Sequence, residues 1–374
     1  MTQPLTQPST TRRPGRRFSS QRGRRITATI AVGAVVAVSG SLAGIFALGS
    51  RASGATPLGV VRLAGADRYA TAAAIADERW TDPLPANSTL LLATGSTFPD
   101  AVAGSAAAGH LDVPLLLTTS GTLSASAAAE IRRLQPASVT LLGGTSAISS
   151  AVAQQVEEVG PPVVRWQGSD RYATAAAISQ ATYPSGATTV YLATGGAFPD
   201  ALAGAALAAH AGGPLLLTDP GTLPDSTKTE IARLHPSAIV IFGGTSAVSA
   251  QVASAAVAAA GGATLSRISG ADRYATADAV AQVLVHVGGV SGAGNGLFIT
   301  TGLDFPDALA GAASGGATDR PLLLVPQSYM TPETWQTIQD LQPPGVFILG
   351  GTNAVSAAVA TGIMAGNPPL APPT

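Results

Sequence analysis

One pattern fills most of this chain and occurs three times. R-L-A-G-A-D-R-Y-A-T-A begins at Arg62, R-W-Q-G-S-D-R-Y-A-T-A at Arg165 and R-I-S-G-A-D-R-Y-A-T-A at Arg267, at spacings of 103 and 102 residues. Each is followed by A-T-G-S-T-F-P-D-A from Ala93, A-T-G-G-A-F-P-D-A from Ala193 or T-T-G-L-D-F-P-D-A from Thr300. The Phe of F-P-D precedes the Pro of P-L-L-L by 16 residues in every copy, and that Pro precedes the first Gly of G-G-T by 29. A period near 100 is too long for a solenoid repeat and matches a small domain. The expected organisation is a basic N-region with an export segment over residues 1–55, repeats over 56–160, 161–262 and 263–366, and a disordered Pro-rich tail over 367–374.

Within a repeat, strand and helix patterns alternate. Val60 to Leu63 reads as a short strand, and Asp67 is placed to cap a helix running to Arg79. Thr89 to Ala93 reads as a buried strand, Gly95 as a turn, and Pro99 as the first residue of a helix with Asp100 at its positive end. Pro114 to Thr118 and Val139 to Leu142 are further apolar strands, separated by an amphipathic helix over Leu123 to Leu134. Apolar strands alternating with helices predict a parallel sheet covered on both faces, an α/β fold of Rossmann-like or toprim-like character. Gly160-Pro161-Pro162 and Gly261-Gly262 read as short linkers, so the three units pack in a fixed arrangement, around a pseudo-threefold axis or in a row. Gly288 to Gly296 reads as an exposed Gly-rich loop of the third repeat.

Charge separates the N-terminal end from the rest. Residues 1–51 carry eight Arg and no acid, leaving twelve of the 20 basic residues against all 21 acidic ones, a net of −9. That balance supplies no overall basic field for nucleic acid. Cysteine is absent, which excludes disulfides, thiolate metal sites and cysteine nucleophiles. Seven Arg between Arg12 and Arg25 precede an uncharged run from Ile26 to Ser50, the pattern of an export signal or of a retained membrane anchor. Either reading places residue 56 onward outside the cytoplasm, and any membrane contact is through this segment alone.

R-x-x-G-x-D-R-Y-x-T-A, A-T-G-x-x-F-P-D-A, P-L-L-L and G-G-T-x-A-[IV]-S, three times in this order, resemble the type 2 cell-wall-binding repeats of Gram-positive bacteria. The resemblance runs from about Val60 to Met364. It implies a non-covalent anchor that holds anionic secondary wall polymers, at the wall or cell surface, without catalysis and without a cofactor. A cell-surface protein partner is a further expectation. Relatives of this kind join the three repeats to another domain, and no such domain stands beside the repeats in this sequence.

The candidate residues have two readings each. Arg68, Arg171 and Arg273 stand at helix starts, suited to phosphate or carboxylate groups, or else to pairing with Asp67, Asp170 and Asp272. Arg62, Arg165 and Arg267 stand at strand ends, facing a ligand or forming an ion pair at an interface. Asp100, Asp200 and Asp307 could accept from sugar hydroxyls, or stabilise a helix dipole. Pro114, Pro214 and Pro321 open core strands, and the resemblance implicates their segment in polymer recognition. The G-G-T glycines suit tight turning and close helix packing more than a phosphate loop.

Other functional classes fit less well. His110 and His210 have Ala317 as their counterpart in the third copy, and no metal or nucleophile motif is present. A wall hydrolase needs two unlike carboxylates, whereas these repeats triplicate one. An extracellular binder of small sugars or nucleotides is the remaining alternative.

Overall fold

The computed structural model describes residues 58–287 and 293–370. The first repeat runs β1 (Gly59–Leu63), α1 (Arg68–Arg79), β2 (Thr89–Thr94), α2 (Pro99–Leu111), β3 (Leu115–Thr118), α3 (Ala125–Leu134), β4 (Ser138–Leu142) and α4 (Ser150–Val159). The second runs β5 (Val163–Trp166), α5 (Arg171–Thr182), β6 (Thr189–Thr194), α6 (Pro199–Ala211), β7 (Leu215–Thr218), α7 (Asp225–Leu234), β8 (Ala238–Phe242) and α8 (Ala250–Ala259). The third runs β9 (Thr264–Ile268), α9 (Arg273–Val287), β10 (Leu297–Thr301), α10 (Pro306–Thr318), β11 (Leu322–Val325), α11 (Pro332–Leu341), β12 (Gly345–Leu349) and α12 (Ala357–Ala365). The Asp67 cap is the one the sequence predicts, with the Ala70 N–H donating to it at 2.8 Å, and at the start of α4 Ser149 accepts from the Val152 N–H.

All strand pairs are parallel, and the three sheets have the orders β3-β2-β4-β5, β7-β6-β8-β9 and β11-β10-β12-β1. The expected parallel α/β class is therefore present three times. No sheet is closed by its own repeat. β5 pairs with β4 and β9 with β8, so the Gly160–Pro162 stretch that reads as a linker is the α4–β5 turn inside one sheet. The exchange is cyclic, because β1 pairs with β12 in the register Val61 to Phe347 and Leu63 to Leu349. The chain is a closed ring of three units.

Alternation along the strands gives each sheet two cores. Leu90 and Leu92 face outward with Leu116 onto Ile131, Val152 and Val156 of α3 and α4. Leu91 and Ala93 face inward, into a core shared by all three units. At its centre α2, α6 and α10 pack against one another. Small side chains let them approach closely: the Ser105 hydroxyl of α2 donates to the Leu309 carbonyl of α10 at 2.9 Å. A Cβ at Gly104, Gly204 or Gly311 would collide with Leu142, Phe242 or Leu349, so glycine is what lets each central helix lie on its sheet. At the N-terminal end of the bundle the rings of Phe98, Phe198 and Phe305 form a triangle with centroid separations of 5.9, 6.0 and 5.8 Å. This near-equilateral triangle gives the ring a pseudo-threefold axis and excludes a row.

The exchanged strands carry Arg62, Arg165 and Arg267, and each reaches the G-G-T turn beyond the neighbouring strand. Arg62 donates to the carbonyls of Gly350 at 2.8 Å, Gly351 at 3.1 Å and Val355 at 2.8 Å. Arg165 donates to Gly143 at 2.7 Å, and Arg267 to Gly243 at 2.6 Å and Val248 at 2.8 Å. The partner at this interface is backbone carbonyl and not the carboxylate of an ion pair.

Two local expectations change. The tail expected to be disordered from residue 367 is placed as far as Leu370, with the Met330 N–H donating to the Pro369 carbonyl at 2.8 Å; residues 371–374 lie outside the described residues. Of the Gly-rich insertion, residues 288–292 lie outside the described residues, while Ala293 is buried and donates to the Leu341 carbonyl at 2.8 Å. The export signal or anchor over residues 1–55 lies outside the described residues. Among the described residues no helix is long and apolar enough to cross a membrane.

Arg62→Ala removes the grip that locks the ring closed. It is expected to lower the unfolding free energy by about 1.5–3 kcal/mol in denaturant titration, the usual worth of hydrogen bonds from a charged donor. A second expectation concerns Asp278, which is buried between α9 and α11. Its Oδ2 accepts from Thr334 at 2.9 Å while Oδ1 has no partner among the described residues. Burial, with Asp272 and Glu333 nearby, pushes its carboxyl up to about 7. The unfolded chain ionises near the ordinary value of ~3.9, so it loses protons first as pH rises, and stability falls between about pH 4 and pH 7. Urea unfolding at pH 8 against pH 5 should show this group costing roughly 2–3 kcal/mol, a loss absent in Asp278→Asn.

Candidate functional site

In each sheet the chain leaves the second strand in one direction and later crosses back to its other side. In the first unit this places the switch point between β2 and β4, where parallel sheets open a crevice beyond their C-terminal ends. A cleft of about 290 Å³ lies there. Thr97, Pro99 and Asp100 form one wall after β2, and Gly144, Ser146 and Ala147 a second after β4. The third wall belongs to the next repeat: Gly168 to Arg171 and Thr174, brought in by the exchanged strand β5. The site is thus made at a junction between repeats.

Asp100 is the innermost charged group of this cleft. Burial raises its carboxyl to about 6, opposed by the Thr174 hydroxyl and the Arg171 charge of the following repeat. Asp200 is raised by the same burial, opposed by Thr276 and Arg273. Asp307 is raised to about 6 by burial and by Asp304, opposed by Arg68 and Thr71. These three pairings define three equivalent junctions, the last closing the ring from the third repeat to the first. Glycine makes room for the acid: Gly143, Gly243 and Gly350 have φ of 93°, 94° and 94°, and a Cβ at any of them would collide with Oδ2 of Asp100, Asp200 or Asp307. The G-G-T turn therefore serves both tight turning and close approach, the approach being to an acid.

Arg68, Arg171 and Arg273 open α1, α5 and α9 and each spends one terminal nitrogen on the A-T-G turn of its own repeat. They donate to the carbonyls of Gly95 at 2.7 Å, Gly195 at 2.5 Å and Gly302 at 2.6 Å. They do not pair with Asp67, Asp170 and Asp272, whose carboxylates cap the helices by accepting backbone N–H groups at 2.8 to 2.9 Å. The structure so brings Arg68, Arg171, Arg273 and Asp100, Asp200, Asp307 together, in pairs drawn from adjacent repeats. Arg62, Arg165 and Arg267 lie behind the G-G-T turn, where burial lowers their guanidinium groups from the ordinary value and carbonyls occupy their donors. Pro114, Pro214 and Pro321 are buried at the opposite, N-terminal edge of the sheets, where their carbonyls accept from Leu91, Tyr191 and Phe298.

Thr71, Thr174 and Thr276, the fourth residue of each helix, and the Phe of F-P-D also belong to the junctions, although neither carries a charge that singles it out in sequence. Both recur in every copy, so the repeat itself carried the signal. Among the described residues no His and acid cluster is arranged to hold a metal.

Known proteins share this pattern. The profile of cell wall binding domain 2 matches residues 62–153, 165–253 and 267–360. The chain is 30% identical over 302 residues to N-acetylmuramoyl-L-alanine amidase LytC of Bacillus subtilis (strain 168), covering 80% of this chain and 57% of that protein. It is 29% identical over 301 residues to the amidase enhancer of the same organism, covering 80% of this chain and 39% of that protein. In three dimensions it resembles Cwp6 from Clostridium difficile with a TM-score of 0.74 and 22% identity, over 85% of this chain and 49% of that one. Cwp8 from Clostridium difficile follows at 0.71 and 21%, over 82% of this chain and 51% of that one. The chain spans about half the length of these proteins. With three family matches that follow the three structural repeats, the chain belongs to the cell wall binding domain 2 family.

Proposed function

We propose that the exported part of this chain is a non-catalytic anchor that grips anionic secondary polymers of the cell wall through the clefts between its repeats. Membership of a wall-binding family supports a place at the wall or cell surface. The observation that carries the finer reading is the triplicated junction: an Arg of one repeat faces an Asp of the preceding one at a sheet switch point, among Thr and Ser hydroxyls. Hydroxyls and carboxylates suit sugar hydroxyl groups, and the guanidinium suits phosphate or carboxylate on the same polymer. Linked clefts raise the avidity for a repeating polymer well above that of one cleft.

The same triplication speaks against hydrolysis, because each cleft holds one buried acid of the same kind where hydrolysis needs an acid and a base of different character. The amidase and its enhancer match this chain over the repeats, and their activities are not carried over to it. Export through the N-terminal segment, by cleavage or with retention in the membrane, completes the proposal.

Sedimentation with purified Gram-positive walls tests it. The folded chain is expected to bind intact walls, to bind more weakly as salt rises, and to lose binding when the anionic polymers are stripped. Replacing Arg68, Arg171 and Arg273 together by Gln should weaken wall binding about 10- to 100-fold with the fold intact. Equal binding to stripped walls would refute the anionic reading, and full-strength binding by the folded triple variant would refute the clefts.

A further inference from the structure

The three junctions are alike in backbone but differ in charge at the residue that precedes F-P-D. Thr97 of the first repeat and Ala197 of the second have Asp304 as their counterpart in the third. All three stand two residues before the Pro of F-P-D, at the mouth of a cleft. Asp304 reaches Arg68, with Oδ2 at 3.7 Å from the guanidinium, and its Oδ1 accepts from the Phe305 N–H at 2.9 Å. Among the described residues neither Arg171 nor Arg273 lies within ion-pair distance of a carboxylate. The third cleft thus holds Asp307, Asp304 and the capping Asp67 against Arg68. The first holds Asp100 and Asp170 against Arg171, with Asp219 acting on Tyr172 beside it but outside ion-pair distance of Arg171, and the second Asp200 and Asp272 against Arg273.

We infer that Asp304 weakens the ring-closing cleft toward anions, so that the first and second junctions each grip an anionic polymer more strongly than the third. This rests on the reading of the clefts as anionic-polymer sites. The physics is competition: a carboxylate beside the guanidinium satisfies the charge that an incoming phosphate or carboxylate would satisfy, and its own charge repels the newcomer. Asp304 also helps raise the Asp307 carboxyl, a sign that its field reaches the inner acid. The Asp304 and Arg68 side chains are 55% and 37% exposed, so the competition is screened by water and salt and its expected size is modest.

The test uses the full exported chain and purified walls that keep their anionic polymers, with stripped walls as the reference. Asp304→Ala is expected to strengthen binding about two- to fivefold at low salt, the range of an exposed ion pair released for another partner. The gain should shrink at high salt and vanish in an R68Q background, because it needs the freed guanidinium. Transplanting the acid into the other clefts, as T97D or A197D, should weaken binding by a similar factor. These positions are exposed, so the fold tolerates each change. Unchanged binding by Asp304→Ala, or a gain that persists in the R68Q background, would overturn the inference. Failure of the unsubstituted chain to distinguish intact from stripped walls would instead overturn the polymer reading beneath it.

Discussion

The pairing of β1 with β12 is the constraint on which the molecule depends. Each sheet lacks its fourth strand until the next repeat supplies it, and the third repeat can obtain one only from the start of the chain. A linear array would leave β12 with a bare edge and Arg62 without its carbonyls, so closure follows from the same geometry that joins the first two junctions. Closure also places α2, α6 and α10 side by side, and their small residues and central Phe triangle fill the axis. The shared core and the strand exchange are two expressions of one arrangement.

The clefts follow from that exchange. A strand that crosses to its neighbour delivers the turn behind it to the neighbour's switch point, so D-R-Y-x-T of one repeat meets F-P-D and G-G-T of the previous one. No repeat owns a complete cleft. The inner Asp sits where burial disfavours its charge, and it is kept there by a positive-φ glycine that allows the approach and by a hydroxyl and guanidinium across the junction. Arg171 spends one terminal nitrogen on the Gly195 carbonyl and leaves the rest of its guanidinium outside that bond. At the mouth of the ring-closing cleft Asp304 changes the local charge within the same backbone frame.

Much of this was legible in the sequence because local rules govern it. The Asp67 cap, Pro99 at the start of α2 and the apolar strands follow from single residues and their spacing. The recurrence of Arg68, Arg171 and Arg273 with Asp100, Asp200 and Asp307 marked the residues of the cleft. What the sequence left open was partnership across distance. A repeat boundary at Gly160-Pro161-Pro162 looks like a linker because local composition is the same for a turn within a sheet and a link between sheets. For the same reason Arg62 could not be assigned to carbonyls nearly 290 positions away, and Asp100 could not be seen to face Thr174. Glycine at Gly143 is readable as a turn, but the acid it accommodates is visible only in three dimensions.

The proposed contact of the wall with the clefts between repeats is measured most directly by amide hydrogen exchange of the protein, free and bound to purified walls. Added protection is expected in residues 95–100, 143–149 and 168–174 and their counterparts after β6, β8 and β9, with the outer helices α3, α4, α7 and α8 unchanged. Protection concentrated on those outer helices, with the cleft loops exchanging as in the free protein, would contradict it.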